Sequence, residues 1–155
     1  MTQESSGIPC IDFVNIAIDR GRPSPEIRRF RELLTRILRS EAGGIGAADR
    51  DLREFNRLLS RAGERRGVVS TVRGYGWGWV ADPGRLLAEL FPVLWSAAAL
   101  LTGEDRHRLK LCQGCGLLFL DQSRNRSRRW CDMGSCGNRA KQRRLRDRRG
   151  EIGLE

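Results

Sequence analysis

The sequence predicts an α+β fold: a mostly helical N-terminal domain with a β-hairpin, then a small four-cysteine module and a basic C-terminal helix. Three observations carry this expectation. Apolar residues recur at helical spacing in three segments before Gly103. One segment between them alternates aromatics with glycines at the period of a strand. Four of the five cysteines fall between Cys112 and Cys136, just ahead of a run of arginines.

Taken in order, Ile8 to Ile18 alternates loosely between apolar and polar positions, with Cys10, Asp12 and Asn15 interleaved. That pattern fits a strand or a short helix, and periodicity does not choose between them. Cys10 is expected to be a buried core thiol. After the breaker GRPSP, Ser24 and Pro25 read as an N-cap and first helical position. Ile27, Phe30, Leu33, Leu34, Ile37 and Leu38 then form one packing face, with Arg28, Arg29, Glu32, Arg36 and Arg39 on the other. The loop AGGIG ends this helix. Leu52, Phe55, Leu58, Leu59 and Ala62 repeat the pattern in a second helix that stops near Gly63.

Val68 to Val72 is β-branched, and Tyr75, Trp77 and Trp79 alternate with Gly74, Gly76 and Gly78. This predicts a hairpin turning at Arg73-Gly74, with its aromatics on one face. Asp82 and Pro83 are expected to open a third helix, central because Leu86, Leu87, Leu90, Phe91, Leu94, Trp95, Ala98 and Leu101 cover much of its circumference. Pro92 inside it predicts a kink. Thr102-Gly103 closes the helix, which divides the chain into a domain over 1–103 and a module over 104–155, packed together because no low-complexity linker separates them.

Charge is distributed unevenly. The chain has a formal net charge of +10, yet the 14 Lys and Arg between Arg106 and Arg149 face only Asp121, Asp132 and Asp147. The rest of the chain is close to neutral, so the basic character belongs to the C-terminal end, as expected of a polyanion-binding surface. No run of 18 apolar residues suggests a membrane span, and the N-terminus lacks a signal-peptide profile, which predicts a cytoplasmic protein without a membrane partner. No phosphate loop, nucleophile-and-base set or paired acids stands at diagnostic spacing, so no catalytic residues and no enzymatic role are assigned.

The cysteines read as C-x2-C-x15-C-x4-C: Cys112, Cys115, Cys131 and Cys136. Clustered cysteines in a cytoplasmic chain argue against disulfides. A redox CxxC needs a strand-to-helix βαβ setting that is absent here. Four thiolates instead close a tetrahedron around one structural Zn²⁺ and leave no open position for water. Gly114 and Gly116 suit the first knuckle. Of the second pair, one ligand is placed on a strand or turn and the other at the start of a helix. Leu118 and Phe119 are expected to pack under the metal, Trp130 to belong to the module's core rather than to stack on a base, and His107 to be a surface residue.

The string LCQGCGLLFLDQSRNRSRRWCDMGSCGNRAKQRRLRDRR resembles the CGNR zinc finger, whose tetrapeptide stands here as Cys136, Gly137, Asn138 and Arg139. Phe119, Asp121, Arg129, Trp130, Cys131, Met133 and Lys141 are companions typical of that family. The family joins its finger to an N-terminal ABATE domain, and IDFVN at Ile11 to Asn15 resembles that domain's start. The resemblance implies a stress-induced transcription regulator that binds DNA.

Asn138 is placed as the cap of a helix starting at Arg139 and surrounded by Lys141, Arg143, Arg144, Arg146, Arg148 and Arg149. With Arg124, Arg126, Arg128 and Arg129 from the loop between the knuckles, these residues form the candidate nucleic-acid surface, since arginine pairs bidentately with phosphate and reads guanine edges. The expected function is a zinc-dependent DNA-binding transcription regulator on double-stranded DNA. Its N-terminal domain would sense a small-molecule effector or form a homodimer, with Asp12, Asn15, Trp77 and Trp79 as the candidate ligand pocket. Against the pocket stands core packing of the tryptophans and turn-capping by Asp12 and Asn15. Two alternatives stay open: an RNA- or ribosome-associated zinc protein, and a zinc-stabilised adaptor that docks an acidic protein.

Overall fold

A computed structural model describes residues 6–16, 23–79 and 90–152, with side chains as far as residue 148. The order is α1 (Pro9–Asn15), α2 (Pro25–Ala42), α3 (Asp49–Gly63), β1 (Arg66–Thr71), β2 (Gly74–Trp79), α4 (Phe91–Thr102), a 3-10 turn (Glu104–Arg108), β3 (Leu109–Leu111), β4 (Leu118–Leu120), a π turn (Met133–Gly137) and α5 (Asn138–Ile152). Each strand pair is antiparallel, so the fold is α+β, helices with two small hairpins.

The ambiguous first segment is a helix. Pro9 sits in its first turn, and Cys10 and Ile11 are fully buried against α4, where the Cys10 N–H donates to Ser96 Oγ at 3.3 Å. Burial pushes the Cys10 thiol up, consistent with a neutral core group. In α2, Ser24 Oγ accepts the Ile27 N–H at 3.3 Å and Pro25 follows in the first turn, while Phe30, Leu33, Leu34, Ile37 and Leu38 are buried. Arg36, expected on the solvent face, instead reaches across to α3. Its Nε and Nη2 donate to the nearly buried carboxylate of Asp51 at 3.1 and 2.9 Å. The guanidinium holds the Asp51 carboxyl below its usual range. A bidentate charge-assisted pair of this kind fixes the angle between two helices that Phe55 and Ala62 otherwise bind only by apolar contact.

The hairpin turn lies at Val72-Arg73, one residue earlier than expected, because Thr71 pairs with Gly74. Gly74 takes φ +111°, a value its missing Cβ permits. Tyr75, Trp77 and Trp79 share one face, but burial divides them. Trp79 packs 6.0 Å from both the Phe91 and Trp95 rings, beneath the Arg66 guanidinium, whereas Tyr75 and Trp77 are 82% and 70% exposed.

The third long helix differs from expectation. Asp82, Pro83, Leu86 and Leu87 lie outside the described residues, and α4 begins at Phe91 with Pro92 in its first turn. Pro92 therefore ends no hydrogen-bond ladder and makes no kink, since the first turn has no intrahelical use for its N–H. Leu94, Ala97 and Leu100 are buried, and α4 packs between α1 and α3.

Gly103 caps α4, and the hydrophobic core continues past it. In the β3–β4 pair Leu109 faces Leu120 and Leu111 faces Leu118, so all four leucines share one face. That face joins the core of α1, α2 and α4, with Leu109 and Leu118 buried at about 1.5–3 kcal/mol each. Leu118 therefore does not lie under the metal site, because successive strand residues point to opposite faces; Phe119 does. Two polar clasps reinforce the seam. Asn15 Nδ2 donates to the Leu118 carbonyl at 2.7 Å and Asn15 Oδ1 accepts the Leu118 N–H at 3.0 Å, so one side-chain amide pairs with the β4 backbone as a neighbouring strand would. Arg39 Nη2 donates to the Gly116 carbonyl at 2.7 Å.

Replacing Asn15 with Ala should lower unfolding stability by about 1–2 kcal/mol through two lost hydrogen bonds in a partly buried seam. Asn15→Asp keeps the acceptor and loses the donor, and it should also destabilise. Denaturant titration reads both variants, and wild-type stability in Asn15→Ala would show that the clasp carries no load.

Candidate metal centre

β3 leads directly into the first knuckle. The Cys112 N–H donates to the Leu117 carbonyl and the Gly116 N–H to the Cys112 carbonyl, both at 2.8 Å, which bends the chain into a tight loop. Its two glycines serve different needs. Gly116 takes φ +73°, whereas a Cβ on Gly114 would come within 3.1 Å of Cys136 Cβ and 3.4 Å of its sulfur, so Gly114 lets the second cysteine pair approach. Gln113 N–H donates to the Arg129 carbonyl at 3.0 Å and sets the returning strand beside the knuckle.

The second pair comes from a different local structure. Asp132 caps the π turn by accepting the Gly134 and Ser135 N–H groups at 3.2 and 2.5 Å, and Gly137 N–H closes back on the Asp132 carbonyl at 3.0 Å. The Ser135 side chain first, then the Ser135 and Gly134 N–H groups, hold the Asp132 carboxyl below its usual range. Cys131 precedes this turn and Cys136 lies within it. Asn138 was expected to cap the following helix, but it has helical dihedrals (φ −61°, ψ −44°) and continues the turn into α5, so the capping is done six residues earlier by Asp132.

The four sulfurs lie within 4.8 Å of one another, with Cys115–Cys131 at 3.7 Å and Cys131–Cys136 at 3.9 Å. A regular tetrahedron with Zn–S bonds of about 2.3 Å has edges of about 3.8 Å, so this donor set fits one structural zinc with no position left for a substrate. Burial decreases across the site: Cys112 and Cys136 are buried, Cys131 half-buried and Cys115 exposed. Burial alone would raise the Cys112 thiol, but backbone N–H groups around it prevail and bring it to about 6. Burial and the neighbouring sulfurs push Cys131 up, and burial raises Cys115 as well. Because cysteine binds zinc as thiolate, metal binding at protonated thiols must release protons.

Phe119 and the half-buried Trp130 pack around Cys112 and Cys136. Trp130 therefore belongs to the core of the centre, as expected, and His107 is exposed. The residue that organises the span between the knuckles, Asp121, is fully buried. Its carboxylate accepts Lys110 Nζ at 2.7 Å, Ser123 Oγ at 2.6 Å and the backbone N–H of Ser123 and Arg128 at 3.0 and 2.8 Å. Burial would raise the Asp121 carboxyl, but these donors, Lys110 foremost, carry it well below the usual carboxylate range. Lys110 also donates to the carbonyls of Arg126 and Arg128, and Arg126 takes a left-handed φ of 48° within this clamp. Sequence reasoning met Asp121 only as one of three acids in the basic segment and as a companion residue in the family resemblance. An Asp two residues ahead of a Ser is the local signal for an Asx turn, but nothing local identifies Lys110 as its partner.

The candidate nucleic-acid residues divide. Arg128 donates to the Cys131 carbonyl and stacks 5.6 Å over Phe119; Arg139 is exposed, but its Nη2 lies 3.4 Å from Cys136 Sγ, so both are engaged at the centre. Arg129 is exposed but bonds Gln113 Oε1 at 2.8 Å. Arg124, Arg126, Asn138, Lys141, Arg143, Arg144, Arg146 and Arg148 are exposed, and the side chain of Arg149 lies outside the described residues. For the candidate ligand pocket, Asn15 bonds Leu118, Asp12 Oδ1 accepts the Ser6 N–H at 2.7 Å, Trp79 packs on Trp95, and Trp77 is exposed. An open cavity of about 520 Å³ lies between the end of α2 and the 3-10 turn, bordered by Glu41, Ile45, Arg106 and His107.

Two family models match the chain. The CGNR zinc finger covers residues 108–149, and ABATE, described as "Putative stress-induced transcription regulator", covers residues 18–104, more than half of the chain. The second range begins after Ile11 to Asn15, the segment that resembles the start of that domain. No curated protein matches.

Cys112→Ser should abolish stoichiometric zinc retention and expose the segment after Leu111 to protease; full metal content by mass spectrometry would refute the ligand set. Asp121 makes a second prediction. Because its folded pKa is depressed, its stabilisation is complete above the unfolded value near 4 and is lost as pH falls through that value toward the folded one. Asp121→Asn should therefore be less stable than wild type at neutral pH, with the difference shrinking below about pH 4. A difference that stays constant in acid unfolding curves would assign the loss to shape rather than charge.

Proposed function

The chain belongs to the ABATE family and carries a CGNR zinc finger at its C-terminal end, and from that premise we propose that it is a transcription regulator whose zinc-stapled module binds double-stranded DNA. The observation that carries this reading is α5. Lys141, Arg143, Arg144, Arg146 and Arg148 are all exposed on a helix whose sole large apolar side chain before Ile152, Leu145, is itself 47% exposed. A helix polar on every side has no stripe to bury against its own protein, so its cations face outward for a polyanion. Its first turn is anchored through Cys136 at the metal centre, which gives the outward helix a fixed base. Arg124 and Arg126, exposed in the loop between the knuckles, extend the surface, and Arg129 borders it.

The remaining parts of the reading concern the N-terminal domain. We assign it effector sensing or homodimerisation, with the exposed Trp77 and Tyr75 as the available apolar contacts and Asp12, Asn15 and Trp79 at most as supports for such a site. The matched families are a regulator and a zinc finger, which supports a non-enzymatic role. Among the described residues no helix is long and apolar enough to cross a membrane, and a cytoplasmic location accords with DNA binding.

Selection from random duplexes with zinc-loaded and chelated protein tests the proposal. An enriched motif that vanishes on chelation supports a sequence-specific regulator, and absence of duplex binding in both forms refutes DNA as the partner and directs the search to RNA or an acidic protein. Replacing Arg143, Arg144 and Arg146 together with Gln should weaken duplex binding and flatten its dependence on log[salt] by about one unit per lost phosphate contact. An unchanged slope would move the contact surface off α5.

A further inference from the structure

The position of Arg139 sets it apart from the arginines that follow it in α5. Its Nη2 lies 3.4 Å from Cys136 Sγ, in hydrogen-bonding range of a sulfur. Four thiolates around a divalent cation carry a net charge of −2, and among the four cysteines Cys136 and Cys112 are the most buried, each 3% exposed. Cys112 already receives the Gly114 N–H at 3.4 Å. Cys136, with a hydrophobic wall of Phe119 and Trp130 beside it, receives a guanidinium. A cation donating to a ligand sulfur withdraws charge from it, lowers its tendency to capture a proton and leave the metal, and fixes its orientation; loss of such outer partners typically costs 10–100-fold in metal affinity.

Arg139 ends the signature tetrapeptide and Arg143, Arg144 and Arg146 lie beyond it, yet sequence analysis placed all four on nucleic acid. The geometry separates them. We propose that Arg139 is a positioning residue of the metal centre: it neutralises the Cys136 thiolate, retains zinc, and locks the first turn of α5 to the site, while the exposed cations beyond it remain for a partner. The register supports this division, because a residue three positions after a ligand in a continuous helical path returns to the same side of the turn, whereas Arg143, four positions further on, stands a turn away from the centre. Arg139 thus makes zinc occupancy and the seating of α5 one event.

The test compares full-length Arg139→Gln with Arg143→Gln, which removes an equal charge from the same helix. Zinc transfer to a chromogenic chelator should be 10–100-fold more favourable from Arg139→Gln than from wild type, and unchanged from Arg143→Gln. In cobalt(II)-loaded protein, the sulfur-to-cobalt charge-transfer band of Arg139→Gln should shift while its tetrahedral d–d bands persist; those bands also certify that the variant folds. At saturating zinc, the salt dependence of duplex binding should fall for Arg143→Gln and hold for Arg139→Gln. Wild-type zinc retention and an unshifted band in Arg139→Gln would overturn the proposal, and a lowered salt slope with them would return Arg139 to the phosphate contacts. The metal arms need no nucleic acid, so failure of DNA binding would count against the proposed function alone.

Discussion

Four sulfur atoms from two separated stretches of chain must meet at spacings of about 3.8 Å, and most of the C-terminal architecture follows from that requirement. The first pair needs a knuckle tight enough to turn within two residues, which Gly116 supplies by a positive φ and Gly114 by having no side chain where Cys136 approaches. The second pair needs the chain to come back from Leu120 to Cys131 along a defined path. Asp121 provides that path by gathering Lys110, Ser123 and the Arg128 N–H around one buried carboxylate. A buried charge costs several kcal/mol unless it is fully paired, and here the pairing itself fixes the loop.

The β3–β4 hairpin connects this centre to the rest of the molecule by having two different faces. Its four leucines lie in the helical core, and between them Lys110 and Phe119 face the opposite way, toward Asp121 and the cysteines. Three residues per strand are too few for an independent sheet, so the hairpin draws its stability from what each face touches. Asn15 then pins the start of β4 to α1, and Arg39 pins the knuckle to α2. The zinc finger is therefore built onto the N-terminal helices rather than strung after them. Asn15 and Arg39 thus link α1 and α2 directly to the start of β4 and the first knuckle of the metal centre.

The same packing sorts the basic residues. Lys110, Arg128 and Arg139 are held by the centre, Arg36 by Asp51 and Arg39 by Gly116, whereas Lys141, Arg143, Arg144, Arg146 and Arg148 of α5 and Arg124 and Arg126 of the loop are exposed. Charge that is spent internally contributes order, and charge that remains outside contributes a field. A net charge counted along the chain cannot distinguish the two.

Much was legible in the sequence. The spacing of Cys112, Cys115, Cys131 and Cys136 determined the metal and its ligand set, because four closely spaced thiolates in that pattern have few other uses. The 3.6-residue period of Phe30 to Leu38 determined a packed helix, and the alternation from Tyr75 to Trp79 a hairpin; each of these is a local pattern that the backbone reads over one or two turns. Errors arose where position along the chain was taken for position in space. Pro92 reads as a kink when the helix is assumed to start earlier. Leu118 reads as the metal's neighbour because Phe119 is, although adjacent strand residues face opposite ways. Asn138 reads as a cap until Asp132 is seen to have done that work. The tertiary structure alone decided which polar groups find each other: Asn15 with Leu118, 103 residues apart, Arg36 with Asp51, Lys110 with Asp121, and Arg139 with Cys136. Hydrogen bonds and ion pairs are short-ranged and directional, so their partners are fixed only after the core has brought the elements together.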